Sequence, residues 1–167
     1  LAGDQLAVRL LLLLLLLGGC VRGPYVAPDG PNTARLTVHN GTGEVLPLDT
    51  FEDGERCSGR LALHGGIPGS DTVTLRITAG EPFTLTARGS GAMPSTPDAP
   101  GLIGGVKYCT IALTFDPAAG ETYLAIYRVG DGRCHLQLGR RTSERFAAKT
   151  TYVVEGSARQ RDEAACR

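Results

Sequence analysis

Short runs in which apolar and polar residues alternate, each cut off by Gly, Pro or Asp, set the strongest limit on what this chain can fold into. Thr72 to Thr78 is the clearest. It places Val73, Leu75 and Ile77 on one side and Thr72, Thr74, Arg76 and Thr78 on the other. A period of two puts successive side chains on opposite faces, which only a strand can use to bury one face. The same alternation runs through Ala34 to His39, with Leu36 and Val38 together, and through Phe83, Leu85 and Ala87. It recurs in Tyr108 to Phe115, where Cys109, Ile111, Leu113 and Phe115 share a side, and in Cys134, Leu136 and Leu138. In Glu121 to Val129, Leu124 and Ile126 face one way and Tyr123, Ala125 and Tyr127 the other. Thr150 to Glu155 is a final strand candidate.

Turn residues separate these runs: Asp53-Gly54, Ala79-Gly80-Glu81-Pro82, Asp116 to Gly120 and Gly130-Asp131-Gly132. Val45 to Phe51 is a weaker strand, because Pro47 demotes it to an edge strand or a bulge. Leu61 to His64 is short, and Gly65-Gly66-Ile67-Pro68-Gly69 after it reads as a loop. No amphipathic helix of usual length competes; Ser143 to Lys149 has room for one or two turns. The chain has 23 Gly and 10 Pro in 167 residues without a collagen period, so many turns are favoured over disorder. Alternating runs recurring at about every ten residues predict an all-β antiparallel sandwich of about seven or eight strands, immunoglobulin-like or prealbumin-like. The segment 89–106 breaks the pattern and reads as a long loop, a feature that tends to be functional.

The N-terminal region is of another kind. Leu10 to Leu17 is an unbroken leucine run, preceded by Arg9 and followed by Gly18-Gly19-Cys20. A helix of that length rises only ~12 Å against a bilayer core of ~30 Å, so it cannot span. It fits the apolar core of a secretory signal. Leu17-Gly18-Gly19-Cys20 resembles the lipobox of bacterial lipoproteins, in which cleavage occurs before the cysteine and the thiol is acylated. The expected organisation is a signal peptide over 1–19, a lipidated Cys20 with a flexible tether over 20–33, and one β-sandwich domain over 34–167. Val21 follows the lipidation site where an inner-membrane retention signal would carry aspartate. The resemblance therefore implies the outer membrane, with the domain facing the periplasm.

Cys57, Cys109, Cys134 and Cys166 remain after Cys20. An even number in an exported chain points to two disulfides, and their wide spacing does not fit the close pairs of a zinc site. If 108–115, 121–129 and 133–138 form a three-stranded meander, Cys109 and Cys134 lie on its outer strands, roughly 10 Å apart. A bridge needs Cα atoms within about 7 Å, which argues against Cys109–Cys134. Of the two pairings left, Cys57–Cys109 with Cys134–Cys166 is preferred.

The stretch Lys107 to Leu138 and the segment Asp53-Gly54-Glu55-Arg56-Cys57-Ser58-Gly59, together with the terminal Ala-Cys-Arg, resemble a group of uncharacterised proteobacterial lipoproteins. That resemblance brings no catalytic residues with it.

The chemistry-bearing residues form no recognisable constellation. His39, His64 and His135 are scattered, with no H-x-x-x-H spacing, and His135 should face solvent beside inward Cys134 and Leu136. Gly89-Ser90-Gly91 lacks the nucleophile-elbow pattern and reads as loop. Glu52, Asp53 and Glu55 cluster beside Cys57, but without a calcium-loop pattern they read as a solvated turn. No phosphate- or dinucleotide-binding glycine motif is present, so no cofactor is expected. Seventeen basic and seventeen acidic residues leave no net charge and no basic field for nucleic acid. The expected role is non-enzymatic: a lipid-anchored binding or accessory module whose partners are the membrane, through Cys20, and an envelope protein or glycan. The alternative is an inhibitor of a lytic enzyme or protease acting through 89–106.

Overall fold

The computed structural model describes residues 23–92, 106–130, 133–142, 151–161 and 166. These residues form a sandwich of two sheets. One sheet has the order β1-β4-β3-β6-β7-β11 and the other β10-β9-β8-β2-β5. The strands are β1 Gly23–Pro24, β2 Thr33–Asn40, β3 Leu46–Asp53, β4 Ser58–Ile67, β5 Thr72–Thr78, β6 Phe83–Ala92, β7 Val106–Phe115, β8 Thr122–Gly130, β9 Arg133–Arg141, β10 Tyr152–Val154 and β11 Arg159–Arg161. Two short strands, β1 and β11, have no counterpart in the sequence reading, whereas β10 falls within the expected final strand over 150–155. Most neighbours are antiparallel, but β1–β4 and β2–β8 pair in parallel.

The inward rows are those the alternation marked. Leu36, Val38, Ile77, Leu85, Ala87, Phe115, Tyr123, Ala125 and Tyr127 are all buried in one core. Through it runs a row of aromatic rings: Phe83 meets Phe115 edge-on, with centroids 5.8 Å apart, and Phe115 meets Tyr123 at a tilt, with centroids 5.1 Å apart. Asn40 is one of the buried polar residues. It is fully buried at the end of β2, and its amide donates to the carbonyls of Glu44 (2.6 Å), Ile67 (3.0 Å) and Pro68 (3.2 Å). Its Oδ1 accepts from the N–H and hydroxyl of Thr42. One side chain therefore satisfies both the 41–45 and the 68–71 connections, which a buried amide must do to offset its desolvation.

Three local expectations are corrected. The meander does not exist: β7 belongs to the six-stranded sheet, and β8 and β9 to the other. The turn after Phe115 carries the chain across the sandwich instead of back along the same sheet. Gly65–Ile67 is strand, not loop, and β4 runs through it. A Cβ at Gly66 would lie 2.4 Å from Cγ1 of the exposed Val45, so a larger residue there requires Val45 to shift. Of the edge strand or bulge expected at Pro47, the structure has the bulge: β3 is central, between β4 and β6, and its register with β4 shifts between Leu46 and Leu48. Gly89-Ser90-Gly91 is likewise strand, paired in β6 with Cys109, Tyr108 and Lys107. Of the long loop, only 93–105 lies outside the paired strands, and that segment, like Ser143 to Lys149, is outside the described residues.

Two substitutions test this packing. A Cβ at Gly89 would lie 2.4 Å from the Tyr127 hydroxyl, which crosses from the opposite sheet. Gly89→Ala is expected to lower unfolding free energy by about 1–3 kcal/mol in urea denaturation. Adding Tyr127→Phe should recover part of that loss; no recovery would show that the ring carbons Cε1 and Cζ, each 2.9 Å from the added Cβ, carry the clash instead of the hydroxyl. Asn40→Ala removes the shared donor of two connections and is expected to cost about 2–3 kcal/mol. A cost below 1 kcal/mol would mean that backbone or water replaces the amide without loss.

Candidate functional site

The cysteines pair differently from the expectation. Cys109 bonds Cys134, with Cα atoms 5.9 Å apart, and Cys57 bonds Cys166, with Cα atoms 4.9 Å apart. A separation of about 10 Å would hold only for three strands in one sheet. Since β7 and β9 lie in different sheets, Cys109 and Cys134 face each other across the sandwich where its edges close together. Beside them the Tyr127 hydroxyl reaches the Cys109 carbonyl at 3.4 Å, and burial raises its phenol pKa above the ordinary tyrosine value.

The Cys57–Cys166 bridge belongs to a second structure, on the outer face of the six-stranded sheet. Phe51 and Ala112 point outward from β3 and β7, and with Cys166 they form a small buried cluster against which Cys57 packs. Arg60 lies over the Phe51 ring, 5.4 Å from its centroid, and donates to the Cys166 carbonyl. The turn before Cys57 is tied to the same place. Thr84 donates its hydroxyl to the Gly54 carbonyl and shares a hydrogen bond with Thr114. From β11, Arg159 pairs with Glu55 (2.8 Å) and Asp116 (3.3 Å), and Arg161 pairs with Glu55 (3.1 Å) and donates to Thr114 Oγ1 (3.0 Å). This explains the acidic cluster beside Cys57. Asp53 caps the Arg56 N–H at 2.9 Å and pairs with the Arg56 guanidinium at 3.7 Å, while Glu55 faces two arginines from the C-terminal arm. Their oxygens serve as arginine acceptors and turn caps. The turn also holds Cys57 at φ 53° and Gly59 at φ 65°, both in the left-handed region.

The remaining candidates are kept apart by the fold. His39, on β2, shares a hydrogen bond with Thr72 at 3.2 Å. His64, on β4 in the other sheet, accepts the Gly66 N–H at 3.2 Å. His135 is exposed on β9, as its alternation with Cys134 and Leu136 required. Among the described residues no group of three or more His, Cys, Asp or Glu side chains is placed to hold a metal ion. Cys20 and the 93–105 part of the proposed loop lie outside the described residues.

Two features were not visible in the sequence. One is an open cleft of about 440 Å³ where β10 and the segment before β11 meet β9, floored by Leu113, Leu136 and Leu138 and bordered by Val154, Glu155 and Gln160. Val154 is 88% exposed there. The signal was the apolar Val153-Val154 pair at the end of the chain's last alternating run, which a single exposed strand cannot bury. The other is the docking of the N-terminal segment. Gly23 and Pro24 pair in parallel with Leu61 and Ala62, and the Tyr25 N–H donates to the Ala62 carbonyl at 2.9 Å. The Tyr25 ring packs edge-on against Phe83, with centroids 6.4 Å apart, and its hydroxyl reaches the Arg76 carbonyl. Within the segment expected as a flexible tether over 20–33, Gly23 to Tyr25 are docked on β4.

The pairing can be read directly. Peptide mapping without reduction should yield a Cys57–Cys166 linked pair and a Cys109–Cys134 linked pair. The double replacement Cys57→Ser with Cys166→Ser should cost about 2–5 kcal/mol in urea denaturation, because it reopens a long loop in the unfolded chain. The far-ultraviolet spectrum should stay unchanged, since the main core lies on the other side of the sheet. Loss of the native spectrum would show that the C-terminal arm is needed for the sandwich to form.

Comparison with protein-family models, curated proteins and solved structures yields no match to this chain.

Proposed function

We propose that this chain is a lipid-anchored protein of the bacterial cell envelope, acylated at Cys20, and that its β-sandwich is a non-enzymatic binding or accessory module at the outer membrane. The observation that carries the reading is the leucine run ending in Leu17-Gly18-Gly19-Cys20. Apolar length too short to span, followed by small residues and a cysteine in register, suits cleavage and acylation. Two further observations support it. The other four cysteines are engaged in disulfides, a state favoured outside the reducing cytosol. The edge cleft, with apolar floor and polar rim, has the composition of a site for an envelope protein or a glycan.

A second reading, inhibition of an envelope hydrolase through 89–106, is favoured by one feature. The β6–β7 hairpin is paired without interruption from Phe83↔Phe115 to Ala92↔Val106. Whatever 93–105 contacts would be presented on a stiff stem.

Intact mass of protein purified from bacterial membranes tests the main reading. The expected product begins at Cys20, carries an acyl increment and gains four protons on reduction. A soluble product without acyl mass would overturn the anchor and leave a secreted binding protein or inhibitor as the better description.

A further inference from the structure

The path of the N-terminal segment has a consequence for how the domain meets the membrane. We infer that the sandwich stands end-on against the lipid headgroups, with the end formed by the 54–57, 79–82 and 116–121 turns facing the bilayer and the opposite end facing away. This rests on the proposed acylation of Cys20.

The two ends are defined by the hydrogen bonds between turns. At one end, Gly54 sits against Pro82, so closely that an added Cβ would lie 2.3 Å from the Pro82 carbonyl oxygen. Gly80 N–H donates to the Pro117 carbonyl at 2.8 Å, and Arg159 joins Glu55 to Asp116. At the other end, Ser70 N–H donates to the Thr42 carbonyl at 2.9 Å, and Gly41 N–H to the Tyr127 carbonyl at 2.8 Å. The β6–β7 hairpin also ends there, at Ala92↔Val106. Strand β4 runs the length between them, from Ser58 beside the first end to Ile67 beside the second.

Strand β1 is parallel to β4, and Gly23 is paired with Leu61. The chain therefore enters β1 from the Ser58 side. Cys20 precedes Gly23 by three residues, which even fully extended reach about 11 Å. Ile67 lies about 20 Å further along β4 in the opposite direction. An acyl group on Cys20 can reach the first end and cannot reach the second. Because Tyr25 is fixed through its N–H, its ring and its hydroxyl, no slack can be drawn from the segment that follows. A lipid anchor on so short a leash holds the body at the headgroups in one sense, and leaves the Asn40-organised connections and the Ala92↔Val106 end of the β6–β7 ladder on the aqueous side.

The chain contains no tryptophan, so an introduced indole is a sole reporter. Ala119→Trp places it at the first end and Glu44→Trp at the second, both at exposed positions. Glu81→Trp and Val45→Trp provide a second pair should either of the first fail to fold. Each acylated protein, its acyl mass verified, is reconstituted in vesicles of phosphatidylethanolamine and phosphatidylglycerol containing a dansyl-headgroup lipid. Energy transfer is expected to be several-fold greater from position 119 than from position 44, and a flexible Gly/Ser insert between Val21 and Arg22 should abolish the difference. Equal transfer from both ends of an acylated protein without the insert would overturn the orientation while leaving the anchor intact. Absence of acyl mass would overturn both.

Discussion

The mutual burial of two inner sheet faces is the constraint on which the rest of this structure depends. No single sheet here can hide its apolar row from water, and the rows from β2, β5, β8 and β9 find cover only against those of β3, β4, β6 and β7. That requirement forces the chain to leave one sheet at Phe115 and enter the other at Thr122, although a hairpin turn would have been shorter. The crossing in turn decides the covalent structure. It brings Cys109 and Cys134 opposite one another between layers, where a bridge closes the sandwich edge instead of straining against strand spacing.

The six-stranded sheet is buried on both faces at one end, and the second face is built differently from the first. Its outward residues are Thr84, Thr86, Thr114 and Asp49, together with Phe51 and Ala112, and all are buried. Polar groups removed from water need partners. Several of these find them in the 54–57 turn and in the arginines of β11: Gly54 for Thr84, Arg161 for Thr114. The Cys57–Cys166 bridge holds turn and C-terminal arm on this face, joining residues 109 apart in sequence. The acidic turn, the terminal arginines and the last cysteine are thus one unit of structure. They would look like unrelated surface features in the sequence.

The two ends of the sandwich consequently differ in character. One is closed by ion pairs and a disulfide, and receives the N-terminal segment along β4. The other is a set of connections organised by one buried amide, Asn40, at the end of the sandwich where the β6–β7 ladder reaches Ala92↔Val106. Under the proposed anchoring, the closed end is the natural seat on a membrane, and the open end and the edge cleft are the surfaces left for recognition. Function in a fold of this kind resides in loops and edges carried by the scaffold, not in the scaffold itself.

By itself the sequence determined the strand periodicity, the inward rows and the fold class. Leu36 and Val38, Phe83, Leu85 and Ala87, and Leu136 and Leu138 are buried as their alternation required, because a period of two is a local property that any strand obeys whatever its neighbours. It also determined that four cysteines would pair, but not how. Tertiary structure alone decided which strands share a sheet, which cysteines meet, that Gly65 and Gly66 lie in a strand, and that Gly23 to Tyr25 dock on β4. Each of these depends on what lies opposite a residue across a ladder or across the core. The glycines read as loop because Gly favours turns, yet the side chain that crowds position 66, Val45, comes from a strand connection many residues away. Such long-range contacts are fixed by the balance of burial over the whole molecule, which no local pattern encodes.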